Sequence, residues 1–212
     1  MSMIQVILAT TNKGKLAELG EALAPLGVEV APMSAFPDLP ETEETGDTFA
    51  ANALLKARAV AQATGRIAIA DDSGLMVDAL AGAPGVHSAR YGEDWQAQPG
   101  ESRDQLNMRK LLHAMRPYPI GERGCRFVTA MAAAAPNGAE MVCEGQWPGA
   151  LLEAPLGSNG FGYDPLFWDP ELNKSAAEMS KAEKNAVSHR GQAVRKLISQ
   201  WPSFLGLAQA RQ

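Results

Sequence analysis

The hydrophobic period of this chain changes twice within its first 32 residues. Ile4-Gln5-Val6-Ile7-Leu8-Ala9 is an apolar run of strand length; it breaks at Thr10-Thr11-Asn12-Lys13-Gly14-Lys15, and Leu16, Leu19, Leu23 and Leu26 then follow at helical spacing. Residues 28–32 supply a second strand. The order is therefore strand, polar turn, helix, strand.

Residues 36–46, rich in proline and acid, mark a surface loop, after which Asp47 or Thr48 can cap a helix over about residues 48–64. Its apolar stripe is Phe49, Ala53, Ala57, Val60 and Thr64. Asn52 and Lys56 fall on the same side as Phe49 and Val60, so Lys56 points inward or along a cleft edge. Residues 67–70 read as a buried strand ending at Asp71-Asp72-Ser73-Gly74, with residues 75–77 extending it or pairing with it. Carboxylates at a strand end can face a crevice. Residues 82–100 carry the glycine and proline of loops, residues 106–115 suggest a short helix, and residues 125–134 and 140–147 flank the hairpin signal Pro136-Asn137-Gly138. Ser180 and Glu183 form a capping box that opens one final helix with the stripe Val187, Val194, Leu197, Ile198 and Trp201. Gly191 interrupts that helix, at about 1 kcal/mol relative to alanine.

At 212 residues and 46% hydrophobic composition, the chain can bury a substantial core, and one domain of two lobes is expected. A net charge of −5 argues against nonspecific binding of duplex nucleic acid and leaves open a small anionic substrate held by local cations. Cys125 and Cys143 are too few and too far apart for a zinc site and read as buried free thiols. The first ten residues lack a basic segment followed by a long apolar region, and no stretch has the length of a membrane span, so a cytoplasmic protein is expected.

Several groups could do chemistry. Residues 10–15 place hydroxyls, an amide and two ammonium groups where a strand gives way to a helix; they suit either phosphate or a plain polar turn with an N-cap, and the glycine spacing is not that of a P-loop. Asp71 and Asp72 could hold magnesium and orient water or could simply cap a turn, and only one of two adjacent strand residues reaches a given site. Glu41, Glu43 and Glu44 are further possible ligands on a loop that would otherwise be merely solvated. Lys56 suits an acid or phosphate partner, or snorkels. Phe161 could stack a base or join the core, and Asp164-Pro165 could form a turn. Lys184, His189 and Arg190 could donate to carbonyl and phosphate oxygens; otherwise Lys184 and Arg190 are ordinary helix charges and His189 a core or surface histidine with a satisfied ring, while His87 and His113 read as structural.

In order along the chain, Thr10-x-Asn12-x-x-Lys15, Glu44-Thr45-Gly46 with Phe49, Asn52-Ala53-x-x-Lys56-Ala57, Asp71-Asp72-Ser73-Gly74-Leu75, Gly82-x-Pro84-Gly85 with Ser88-Ala89-Arg90-Tyr91, Gly160-Phe161-Gly162-Tyr163-Asp164-Pro165, and Ala177-Glu178-Met179 through Ser188-His189-Arg190 form a specific pattern. Across nearly its full length the chain resembles the inosine and xanthosine triphosphate pyrophosphatase family. The resemblance implies a two-lobed α/β/α fold with an elongated mixed central sheet and a cleft between lobes, a homodimer, and magnesium-dependent hydrolysis of inosine, deoxyinosine and xanthosine triphosphates between the α and β phosphates. It also implies phosphate binding by Thr10, Thr11, Asn12, Lys13, Gly14 and Lys15, with Asp72 as base and magnesium ligand. Ser73 would contact substrate, Glu43 or Glu44 would complete the metal site with alignment through Lys56 favouring Glu44, and Lys56 would lie near the reacting bond. Phe161, Gly162, Tyr163, Asp164, Lys184, His189 and Arg190 would form the nucleoside pocket. Ala51 departs from the glutamate that bacterial members often carry before Asn52-Ala53. A related enzyme for other modified bases, and a catalytically silent nucleotide binder, are the competing expectations. Ser188-His189-Arg190 argues against the first, and retention of Lys15, Lys56 and Asp72 against the second.

Overall fold

The computed structural model describes residues 4–10, 13–36, 39 and 42–210, without the side chains of residues 13–15, 17 and 18. The fold is mixed α/β. Seven strands, β1 (Ile4–Leu8), β2 (Val28–Pro32), β3 (Ile67–Val77), β4 (Gly124–Ala134), β5 (Glu140–Leu151), β6 (Phe167–Asp169) and β7 (Lys174–Ser175), form one sheet in the order β2-β1-β3-β4-β5-β6-β7. β1 lies parallel to both β2 and β3, and β6 is antiparallel to β5 and β7, so the sheet is mixed.

The chain divides into two compact units. Unit 1 comprises Met1–Asp72, Thr129–Glu144 and Gln192–Gln212; unit 2 comprises Ser73–Val128 and Gly145–Gly191. In unit 1, helix α1 (Lys13–Leu23) buries Leu19 and Leu23 with Val6, Leu8, Ile69 and Met131 and with Ala193, Leu197 and Trp201 of the final helix. Helix α2 (Phe49–Thr64) starts where the Thr48 side chain accepts from the Ala51 N–H and ends at Gly65, whose φ of 66° relieves the left-handed cap of Cβ strain. Its buried face is Phe49, Asn52, Ala53, Ala57, Val60 and Ala61, so Ala61 takes the place expected of Thr64. In unit 2, helix α3 (Arg103–Ala114) contributes Leu111 to a core that also holds Leu75, Val77, Met115, Phe127, Trp147, Tyr163 and Phe167.

Of the two readings open for residues 75–77, extension holds: β3 runs without a break through Asp71-Asp72-Ser73-Gly74 to Val77. Gly74 lets it continue, since a Cβ there would stand 2.3 Å from Ser88 Oγ and 2.5 Å from the Gly85 carbonyl oxygen. The final helix is two helices, α4 (Lys181–Val187) and α5 (His189–Gln209). Ser188 is extended at φ −64° and ψ 157°, and its hydroxyl accepts from the Gly191 N–H at 3.2 Å. Gly191 thus lies in the first turn of a new helix and not in the interior of one long helix.

Candidate active site

Unit 1 holds a charged cluster built from α2, the loop before it and β3. β1 pairs with β3 as far as Leu8 opposite Ile69, so Asp71 and Asp72 lie just past the carboxyl end of β1, two and three residues beyond its last pair. That is where parallel strands present ligands. Both aspartates are buried, at 5% and 8% exposure. Lys56, one turn along α2 from the fully buried Asn52, reaches Glu44 Oε1 at 2.8 Å and Asp72 Oδ1 at 3.7 Å. The other Asp72 oxygen accepts from Asn52 Nδ2 at 3.2 Å, and Asn52 Oδ1 accepts from the Gly46 N–H at 2.8 Å. Glu44 therefore faces the lysine, while the adjacent Glu43 is exposed.

Burial raises the pKa of Asp72 above the ordinary carboxylate value; the Lys56 charge and the Asn52 hydrogen bond oppose that shift, and Glu44 and Asp71 add to it. A carboxylate held this way is a better proton acceptor than a solvated one. Among the described residues, no group of three or more histidine, cysteine, aspartate or glutamate side chains gathers to hold a metal. Glu44 and Asp72, gathered on one ammonium, form a smaller hard-oxygen set. It suits magnesium, which retains water and takes one or two carboxylates plus substrate phosphates.

Unit 2 holds a cavity of about 140 Å³ lined by Ser73, Phe161, Gly162, Tyr163, Asp164, Lys184, His189 and Arg190 among others. Its polar groups are fixed mainly by backbone. Tyr163 OH donates to the Ser88 carbonyl at 2.9 Å, and buried Asp164 accepts from the Phe161 N–H at 2.9 Å and from Lys184 Nζ. Arg190 donates to Ser73 Oγ at 3.3 Å. His189 stacks on Phe127, centroids 4.8 Å apart at 13°, and on Trp147 at 6.4 Å and 20°. Phe161 is the exposed ring of the group, at 52%, with Lys184 Nζ 5.4 Å and Arg190 Cζ 5.6 Å from its centroid. Aromatic faces, two cations and a histidine suit a flat, carbonyl-bearing base.

A family model described as the Ham1 family matches residues 6–200. The chain belongs to the Ham1 family. It is 52% identical over 204 residues to a dITP/XTP pyrophosphatase of Nitratidesulfovibrio vulgaris, covering 96% of this chain and 99% of that protein. It is 47% identical to a dITP/XTP pyrophosphatase of Geobacillus kaustophilus, covering 96% and 97%. The solved structure of a HAM1 protein from Coxiella burnetii superposes with a TM-score of 0.86 at 40% identity, covering 95% of this chain and all of that one.

In this Ham1 family chain, the sequence-predicted residues divide between the two units. Glu44, Lys56 and Asp72 gather in unit 1; Ser73, Phe161, Gly162, Tyr163, Asp164, Lys184, His189 and Arg190 gather around the cavity in unit 2. Thr10 follows β1, and Lys13, Gly14 and Lys15 open α1, whereas Thr11 and Asn12 lie outside the described residues. Helical period puts Asn52 on the inner face of α2 but carries no sign that it holds Asp72. Nor does the sequence pattern assign a role to Asp104, which lines the cavity and accepts from the Gly162 N–H at 2.7 Å, or to Phe127 and Trp147 beneath His189. The one local signal for Asp104 was the capping box of Ser102 and Gln105, which starts α3 three residues earlier than expected.

Proposed function

We propose that this chain hydrolyses the triphosphates of deaminated purines, inosine, deoxyinosine and xanthosine triphosphate, between the α and β phosphates, giving the nucleoside monophosphate and pyrophosphate and so cleansing the nucleotide pool. The observation that carries this reading is the Asp72–Ser73 peptide bond. Asp72 belongs to the charged cluster and Ser73 to the aromatic cavity, so adjacent residues join a group suited to activate water to a pocket suited to a base. The names of the 52% and 47% identical relatives support the same substrates.

Asp72 accepts the proton of an attacking water, the oxygen adds to phosphorus, and the bridging P–O bond breaks with pyrophosphate leaving. Asn52 turns the Asp72 carboxylate, leaving Oδ1 toward Lys56. Lys56 spreads positive charge over the phosphate oxygens near the reacting bond. Residues 10–15, Lys15 among them, take phosphate at the start of α1, where the positive helix end favours anions. Magnesium, held by Asp72 and Glu44, with Glu43 the alternative, would neutralise phosphate charge.

In the nucleoside pocket, Phe161 stacks the base and His189 or Arg190 donates to the carbonyl at the 6-position. Adenine presents an amino group there and leaves the donor unmatched; guanine shares the carbonyl, so its exclusion falls to the 2-position. Both units then serve one enzyme domain. By the family resemblance its working form is a homodimer. A cytoplasmic location accords with a free nucleotide substrate and with the finding that, among the described residues, no helix is long and apolar enough to cross a membrane.

Pyrophosphate release from inosine, xanthosine, guanosine and adenosine triphosphates, with magnesium and with excess chelator, tests the reading. Magnesium-dependent release strongly favouring the first two is expected. Equal release from all four would overturn the base filter, and nucleotide binding with no release from any would leave a silent binder.

A further inference from the structure

We propose that Asp104 is the positioning residue for the Phe161 ring, fixing the backbone pivot from which the ring meets a base. The proposal rests on the reading of the unit 2 cavity as a nucleoside pocket.

Phe161 is more than half exposed, so the core does little to set its ring. Residues 152–163 contain neither helix nor strand, and Phe161 stands between Gly160 at φ 78° and Gly162 at φ 62°. A segment with two such glycines has many backbone states open to it, and fixing one requires hydrogen bonds from elsewhere. Just before the glycines, the Ser158 and Asn159 N–H groups donate to the Ala177 carbonyl, and at the Phe161-Gly162 pair itself two N–H groups provide them. That of Phe161 goes to Asp164, three residues on, and that of Gly162 goes to Asp104, 58 residues away in the first turn of α3.

The helix that carries Asp104 is itself anchored. Ser102 and Gln105 cap its start reciprocally, and the buried Asn107 accepts from the Gly92 N–H at 2.6 Å and donates to the carbonyls of Ser88 and Ala89 at 3.3 and 3.2 Å. Asp104 therefore ties the glycine segment to a fixed body through a charge-assisted bond. The need for a fixed pivot follows from the cations beside the ring. A base lying between Phe161 and Lys184 or Arg190 would require about 7 Å, two van der Waals spacings, where 5.4 and 5.6 Å are present. The base takes the other face, or the ring turns about its own side-chain torsions; in both cases the backbone pins decide where the ring stands.

The test compares Asp104→Ala, Asp104→Asn and Phe161→Ala by calorimetric binding of inosine monophosphate and, separately, of pyrophosphate with magnesium, alongside KM and kcat for inosine triphosphate. Asp104→Ala should weaken inosine monophosphate about tenfold, leave pyrophosphate unchanged and place its loss in KM. Asp104→Asn, which keeps an acceptor, should recover most of the binding. A purely helix-capping role would lower the melting temperature without separating the two ligands, and that result overturns the proposal. So does unchanged binding in Asp104→Ala when Phe161→Ala binds weakly. If Phe161→Ala itself binds normally, the nucleoside reading falls and takes this inference with it.

Discussion

The two units hold their polar side chains with a different balance of ties. In unit 1, Glu44, Asn52, Lys56 and Asp72 hold one another, side chain to side chain, with two carboxylates on one ammonium. In unit 2, side-chain pairs are present too, Lys184 on Asp164 and Arg190 on Ser73, but Tyr163, Asp104 and Asp164 are also tied to backbone groups, and His189 is held flat by Phe127 and Trp147. A network of side-chain charges responds when a proton or metal charge changes, which suits bond breaking. A pocket pinned to backbone keeps its shape, which suits the reading of a base. Substitutions in unit 1 should therefore alter turnover for every substrate alike, and those in unit 2 should alter the choice among substrates.

Asp72→Asn gives the largest effect. It preserves shape and can still accept from Asn52 while removing the proposed base and its proposed metal charge, so turnover should fall about a thousandfold for inosine and adenosine triphosphates alike. A loss confined to one base would dissolve the contrast between the units.

The same substitution reports on stability. Because the folded-state pKa of Asp72 is raised, the folded protein holds this proton more tightly than the unfolded chain does. With metal chelated, wild-type stability should fall as pH climbs from the ordinary carboxylate value through the raised one, and the penalty is fully present above it. Asp72→Asn should lack that slope and melt higher at neutral pH in chelator, and magnesium should raise the melting temperature of the wild type more than that of the variant. Equal slopes in thermal scans across this range would show that burial does not strain the carboxylate.

His189→Ala addresses the other unit. Removing a donor stacked on Phe127 should lower the preference for inosine over adenosine triphosphate by roughly ten- to hundredfold and change turnover of the adenosine compound little. The ratio of kcat/KM values measures it, and an unchanged ratio would move base recognition to Arg190.

What could be read from the sequence follows the range of the interactions concerned. α2 is legible because everything that makes it is local: the Thr48 cap, a run of alanines and Gly65. The course of β3 is not. Asp71-Asp72-Ser73-Gly74 has the composition of a turn, and what makes it strand is backbone pairing within the sheet, where β3 lies between β1 and β4, with Gly74 admitting the close approach of Ser88. In the same way Lys56 was placed by helical period alone, while the pairing of Glu44 in preference to Glu43 depends on the path of a loop. Phe161 stands out in the sequence as an aromatic between two glycines, but the bond that ties the adjacent Gly162 N–H to Asp104 spans 58 residues.

The break between α4 and α5 shows the same limit and yields the smallest effect. The apolar stripe runs through Val187 and Val194, so periodicity gives one helix, yet Ser188 caps a second start and places His189 and Arg190 in its first turn. Ser188→Ala leaves the Gly191 N–H without its acceptor and should destabilise the protein by about 1 kcal/mol, which lowers the melting temperature of a chain this size by roughly 2–4 °C. Ser188→Asp, which restores a cap, should recover it. If the cap also orients the two donors, Ser188→Ala will raise KM for inosine triphosphate at temperatures well below melting. A melting shift with KM unchanged would make the break a feature of packing alone, and the orientation of His189 would then rest on Phe127 and Trp147.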